Sequence, residues 1–195
     1  MKKYICVLVF SLGVASHALS AAVFDKYFEL SVGAGPFIPA SQVPFTDLAS
    51  TLYRYSFKTG LGYFARCLVK VTKKFSLGAA FSEFSFGSGP PDVRPYGTYY
   101  YKYACTDFLG VLQWKPGQGK LRPYVLAGVG SSKGKVTLEQ AAGVFASPNQ
   151  LLLQPGIGAS LALKKASLFL EVKYTHAGGG DLSRSYLPVN AGILF

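Results

Sequence analysis

A period-two alternation runs through most of the chain. In residues 27–38, Phe28, Leu30, Val32 and Ala34 alternate with Glu29, Ser31, Gly33 and Gly35. In 59–71, Leu61, Tyr63, Ala65, Cys67, Val69 and Val71 alternate with Gly60, Gly62, Phe64, Arg66, Leu68 and Lys70. The same pattern recurs in 75–82, 122–130, 151–163, 167–175 and 186–195. Alternation of this kind marks strands with two unlike faces. Here one face is large and apolar, and the other is Gly, Ser and a few charges. A soluble sandwich or lipocalin-like barrel turns its large apolar side chains inward. This pattern suits the reverse arrangement, a narrow small-residue interior with an apolar exterior, as in transmembrane barrels. Inner-face glycines relieve crowding where a small barrel closes.

Residues 98–114 admit two registers. The preferred one turns Tyr99, Tyr101, Tyr103, Cys105 and Asp107 inward. It turns Tyr100, Lys102, Ala104, Phe108, Leu112 and Trp114 outward. The other register sets Asp107 against lipid near mid-strand, which costs several kcal/mol for a charged side chain. Strands are then expected near 27–38, 53–71, 75–86, 98–114, 122–136, 150–163, 167–176 and 185–195. The connections alternate between long (39–52, 87–97, 137–149, 177–184) and short (72–74, 115–121, 164–166). An even strand count with short turns at one end and long loops at the other is the outer-membrane plan. The expected fold class is all-β, an eight-stranded antiparallel transmembrane up-and-down β-barrel.

The N-terminus reads as a signal peptide over 1–21, with the barrel occupying 22–195. Lys2 and Lys3 precede an uncharged apolar run from Tyr4 to Val14, and small residues follow through Ala22. That is leader anatomy, and the run is too short to span a bilayer as a helix. Cleavage removes Cys6 and His17 and leaves His176, Cys67 and Cys105. So few ligands exclude a His/Cys zinc site, and no cofactor is expected. Cys67 faces outward and Cys105 inward on strands that are not neighbours, so free thiols are expected rather than a disulfide.

Arg122-Pro123-Tyr124-Val125-Leu126-Ala127-Gly128-Val129-Gly130 resembles the fifth strand of OmpA/OmpX-like, opacity-type small barrels. Asn190-Ala191-Gly192-Ile193-Leu194-Phe195 resembles their terminal assembly signal, carried by Asn190, Gly192, Ile193 and Phe195. The resemblance implies insertion by the outer-membrane assembly machinery and residence among outer-membrane lipids of a Gram-negative-type bacterium. It implies no single activity, since such barrels include stabilisers, adhesins and lipid enzymes. The family's soluble peptidoglycan-binding domain is not expected here.

The chemistry is sparse. Glu29, Arg66, Lys70, Asp107, Glu171 and Lys173 fall on the inner face. Buried charges require partners, so a salt-bridge network filling the lumen is expected rather than a pore. His176 lies near Asp181, Ser183 and Ser185. Outer-membrane lipid A deacylases carry a Ser two residues after such a His. Here that position is Gly178, so no enzyme is expected.

Tyr53, Tyr55, Phe57, Phe84, Phe86, Tyr96, Tyr99, Tyr100 and Tyr186 fall at outer strand ends and Trp114 at an inner one. They are expected to form interfacial girdles rather than a stacking surface for nucleic acid. The formal charge of +11, which becomes +9 once Lys2 and Lys3 are cleaved off, gathers at the short turns, on Lys70, Lys73, Lys74, Lys115, Lys120, Arg122, Lys164 and Lys165. The outer loops are nearly neutral, with Arg54, Arg94, Lys133, Lys135 and Arg184 against Asp47, Asp92, Glu139 and Asp181. The basic rim is expected to face inner-leaflet phosphates. The expected role is structural or surface interaction, with a host or surface ligand at the long loops.

Overall fold

A computed structural model describes residues 27–46, 52–88, 92–94, 97–117, 119–138, 144–146, 149–164, 166–178 and 183–195. Residues 1–21, read from the sequence as a signal peptide, and Asp47, Tyr96, Glu139, Lys165 and Asp181 lie outside the described residues.

The wall of the barrel comprises β1 (Phe28–Pro39), β2 (Lys58–Lys70), β3 (Phe75–Gly87) and β4 (Tyr101–Trp114). It continues with β5 (Leu121–Leu138), β6 (Gln150–Ala162), β7 (Ser167–Lys173, resumed at Thr175–Ala177) and β8 (Arg184–Leu194). Each strand pairs antiparallel with the next. β1 then pairs with β8, from Ser31↔Leu194 to Pro39↔Tyr186. Closure removes the unpaired edges that an open sheet exposes. It requires close approach at Gly35, where a Cβ would stand 1.9 Å from the Val189 carbonyl oxygen.

The face assignments follow the alternation. In β4, Asp107 is fully buried while its neighbour Phe108 is 57% exposed. Leu61, Leu77, Val129, Ile157 and Leu170 cover the exterior. Among the described residues no helix is long and apolar enough to cross a membrane.

Several boundaries differ from the sequence expectation. The 53–71 strand is divided: Leu52–Tyr55 pairs with Val43–Thr46 in a loop hairpin, and β2 begins at Lys58. Likewise Gly97–Tyr99 pairs with Asp92–Arg94, so the wall of β4 starts at Tyr101 and Tyr99 is not in it. Local hairpin pairing captures these segments before they reach the wall. β7 is interrupted at Tyr174, yet Gly156↔Lys173 and Leu153↔His176 keep one register with β6. Tyr174 donates its N–H to the Pro155 carbonyl at 2.9 Å. Pro155 on β6 and Pro188 on β8 have no N–H to return, which thins the ladder at that level. Finally, Arg184 belongs to β8 and faces inward, fully buried, rather than lying in an outer loop.

Candidate functional site

The interior is filled in tiers. Glu171, on β7, is fully buried. Its Oε2 accepts from Arg66 Nη1 of β2 at 2.9 Å and from the Tyr124 hydroxyl of β5 at 3.0 Å. Lys173 Nζ lies 2.9 Å from the other oxygen, Oε1. Arg66 also donates Nε to Ser31 Oγ at 3.3 Å. Glu171 and Lys173 share the inner face of one strand because they are two residues apart. Arg66 meets them only through barrel closure, at a sequence separation of 105 from Glu171.

Below this tier Glu29 pairs with Lys115. The sequence places Lys115 on the rim; its side chain instead folds over the strand end into the mouth. Desolvation holds its amine below the ordinary lysine range, opposed by the Glu29 carboxylate. Lys70 lines the same mouth.

Asp107 forms a separate tier rather than joining the Glu171 cluster. Its Oδ1 accepts from Ser132 and its Oδ2 from Tyr186. Arg184 Nη2 donates to Ser132 Oγ at 2.8 Å, and Nη1 donates to Gln150. Ser132 thus links the Asp107 carboxylate to the guanidinium. The sequence alternation over 186–195 leaves Arg184 just beyond the strand, in an outer loop. The signal available was parity: residue 184 shares the inner face with Tyr186.

The aromatics at the outer strand ends also depart from expectation. Tyr55, Phe57, Phe84, Phe86 and Tyr186 are buried and point inward, so they are not part of a girdle. With Phe37, Tyr101 and Tyr103 they make a continuous ring layer. Phe37 stacks on Phe84 at 4.2 Å between centroids, and Phe86 stacks on Tyr103 at 5.7 Å. The layer needs room opposite, which Gly134 supplies: a Cβ there would lie 2.1 Å from the Tyr103 hydroxyl. Trp114 does face outward at the inner end.

On the outer wall His176 and Ser185 are cross-strand partners, with Nδ1 and Oγ 3.0 Å apart. The Tyr174 hydroxyl donates to the same Ser185 oxygen at 3.0 Å. Tyr63 donates to Glu83, an outward acid the alternation did not single out. Cys67 is exposed, Cys105 is buried, and both are free thiols. No group of three or more His, Cys, Asp or Glu side chains among the described residues is arranged to hold a metal.

At the terminal strand Asn190 faces inward, while Ile193 and Phe195 face outward. Gly192 makes space for the ring of Phe169. Phe195 exchanges two backbone hydrogen bonds with Leu30, at 2.8 and 3.2 Å. At the end bearing the short turns the lumen opens into a cavity of about 590 Å³, lined by Glu29, Lys70, Lys73, Lys74, Lys115, Arg122 and Lys164, among others. Lys120 is exposed on the turn beside it.

No family model matches the chain, and no curated protein matches it in sequence. Solved structures do. Ail, the attachment invasion locus protein of Yersinia pestis, in complex with the heparin analogue sucrose octasulfate, is 14% identical over 87% of this chain and 99% of its own, with a TM-score of 0.51. Neisserial surface protein A is 14% identical over 86% of this chain and 95% of its own, with a TM-score of 0.59. The outer membrane protein OprG from Pseudomonas aeruginosa is 16% identical over 86% and 95%, with a TM-score of 0.52. At these identities the likeness concerns the fold, a closed eight-stranded antiparallel barrel of the small outer-membrane type.

Proposed function

We propose that this chain is an outer-membrane barrel acting as a surface-interaction protein at its outer end. The observation that carries the reading is that β5, 18 residues long, rises past the apolar belt. Above Phe108 and Val129 the outward face of β4 and β5 changes to Lys102, Lys133 and Lys135. Lys135 stands opposite Ala104 and Lys133 opposite Thr106, while Lys102 stands opposite Thr137, so the three lysines share one patch. Such a patch attracts anionic groups over a Debye length. A sulfated or phosphorylated surface glycan has matching chemistry, and Ail, of the same fold, was solved with a heparin analogue. The filled lumen argues against a small pore.

The test is retention of the barrel, embedded in lipid nanodiscs, on immobilised heparin. Retention that falls with salt and drops in Lys133→Gln/Lys135→Gln supports the reading. Salt-independent or unchanged retention removes it.

One observation favours a second reading. The His176–Ser185 hydrogen bond faces outward near the outer end, and a nucleophile beside a base is the start of an acyl-hydrolase site. Among the described residues no carboxylate is hydrogen-bonded to the imidazole, so the primary reading stays non-enzymatic. Release of fatty acid from outer-leaflet lipid by the intact protein, lost in Ser185→Ala, would replace it.

A further inference from the structure

We infer that the cavity at the short-turn end is a binding site for a multiply charged, phosphate-bearing anion entering from the periplasm. This is independent of the surface reading, which concerns the opposite end.

Three turns build the site. Lys70, Lys73 and Lys74 come from the β2–β3 connection, Lys115 and Arg122 from the β4–β5 connection, and Lys164 from the β6–β7 connection. Glu29 is the single acidic side chain among the described lining residues, and it is 3% exposed and paired with Lys115, while the terminal residue Phe195 also borders the cavity. Lys73, Lys74 and Lys164 are exposed and make no ion pair among the described residues. Like charges converging on one concavity repel, and concave walls focus the field on whatever anion enters. Thr72, Ser76, Ser160 and Ser167 add hydroxyl groups to the lining.

Size and position narrow the class. At about 590 Å³ the cavity falls in the range of small-molecule sites, roughly 300–1,000 Å³. That exceeds what one orthophosphate fills and suits a group with several phosphates. Ser76, Ser160 and Ser167 are buried inner-face residues, so the floor lies within the ring of strands. The wall separates it from the lipid. That geometry favours a soluble anion over an inner-leaflet headgroup, although both present phosphate.

The experiment uses the folded barrel in zwitterionic phosphatidylcholine nanodiscs, titrated with tripolyphosphate by calorimetry. A second arm measures phosphatidylglycerol retained by the barrel after purification. Each lysine near an anionic group is worth about fivefold in affinity. Lys73→Gln/Lys74→Gln/Lys164→Gln is therefore expected to weaken tripolyphosphate binding about 100-fold at low salt. Lys58→Gln, an exposed lysine at the other end and outside the outer lysine patch, is expected to leave it within about twofold. A heat-dependent shift in gel mobility verifies that each variant is folded. Absence of saturable tripolyphosphate binding, or equal losses in both variants, overturns the inference and leaves lysines that only keep the turns solvated. Loss of phosphatidylglycerol in the triple variant without tripolyphosphate binding overturns the soluble source and assigns the cations to lipid headgroups.

Discussion

Replacing Glu171 with Gln removes one charge and almost no volume, which makes it a clean probe of the interior. Glu171 accepts from Arg66 at 2.9 Å and from Tyr124 at 3.0 Å, with the Lys173 ammonium 2.9 Å away. Arg66 and Lys173 are 2% and 6% exposed, so neither recovers full hydration when the carboxylate is gone. Breaking a buried pair by removing one partner costs about 3–5 kcal/mol. The Gln amide still accepts from Tyr124, so the loss measures charge rather than a cavity. With a urea slope of about 1–3 kcal/mol/M, the unfolding midpoint should fall by at least about 1 M. Glu83→Gln is the control, because that acid faces outward beside Tyr63. Glu83 stands opposite Thr106, one step from Asp107, so its outward charge lies at a height that lipid disfavours and its removal should not lower the midpoint. Trp114 is the only tryptophan and faces outward, so its emission follows loss of the apolar surroundings. Replacing the triad with Arg66→Met, Glu171→Leu and Lys173→Met together should recover most of the loss, since apolar isosteres spare all three desolvation costs. Equal midpoints for Glu171→Gln and Glu83→Gln, or a triple variant weaker than the single, would refute this account of the core.

Arg184→Met strands Ser132 and Asp107 without their cation and should lower the same midpoint more than Lys133→Met, whose side chain is exposed. Gly35→Ala puts a methyl group 1.9 Å from the Val189 carbonyl at the closing seam. The folded, heat-modifiable band should nearly vanish, whereas Gly87→Ala, with 3.5 Å of clearance, should keep it. Deleting Phe195 removes the Leu30–Phe195 backbone pair that ends the closing ladder. Protease-sensitive chains should accumulate in the periplasm, and normal assembly would contradict the role given to the terminal residue. In planar bilayers the intact barrel should show no steady conductance, and Phe84→Ala/Phe86→Ala/Tyr186→Ala should raise it; a conducting parent would contradict the sealed lumen.

Much of the wall was legible from residues alone, because strand periodicity is local. Each inward or outward position follows from its neighbour, and one costly alternative, Asp107 against lipid, decided the ambiguous strand. The small inner face and large outer face carried the barrel's inside-out character for the same reason. What the tertiary structure decided is who meets whom. Arg66 reaches Glu171, 105 residues away, only because the sheet closes. Glu29 takes Lys115 from the rim because two strand ends converge at one mouth. The outer aromatics turn inward rather than forming a girdle because Phe84 and Phe86 continue the inner-face parity of Ser76 and Ser82, and Tyr186 shares that of Asn190. Arg184 crosses from loop to core by one step of strand extension, set by its pairing with Ala177. Alternation specifies the side of the wall a residue occupies. The height and the partner depend on register between distant strands, which is a property of closure and not of any stretch of sequence.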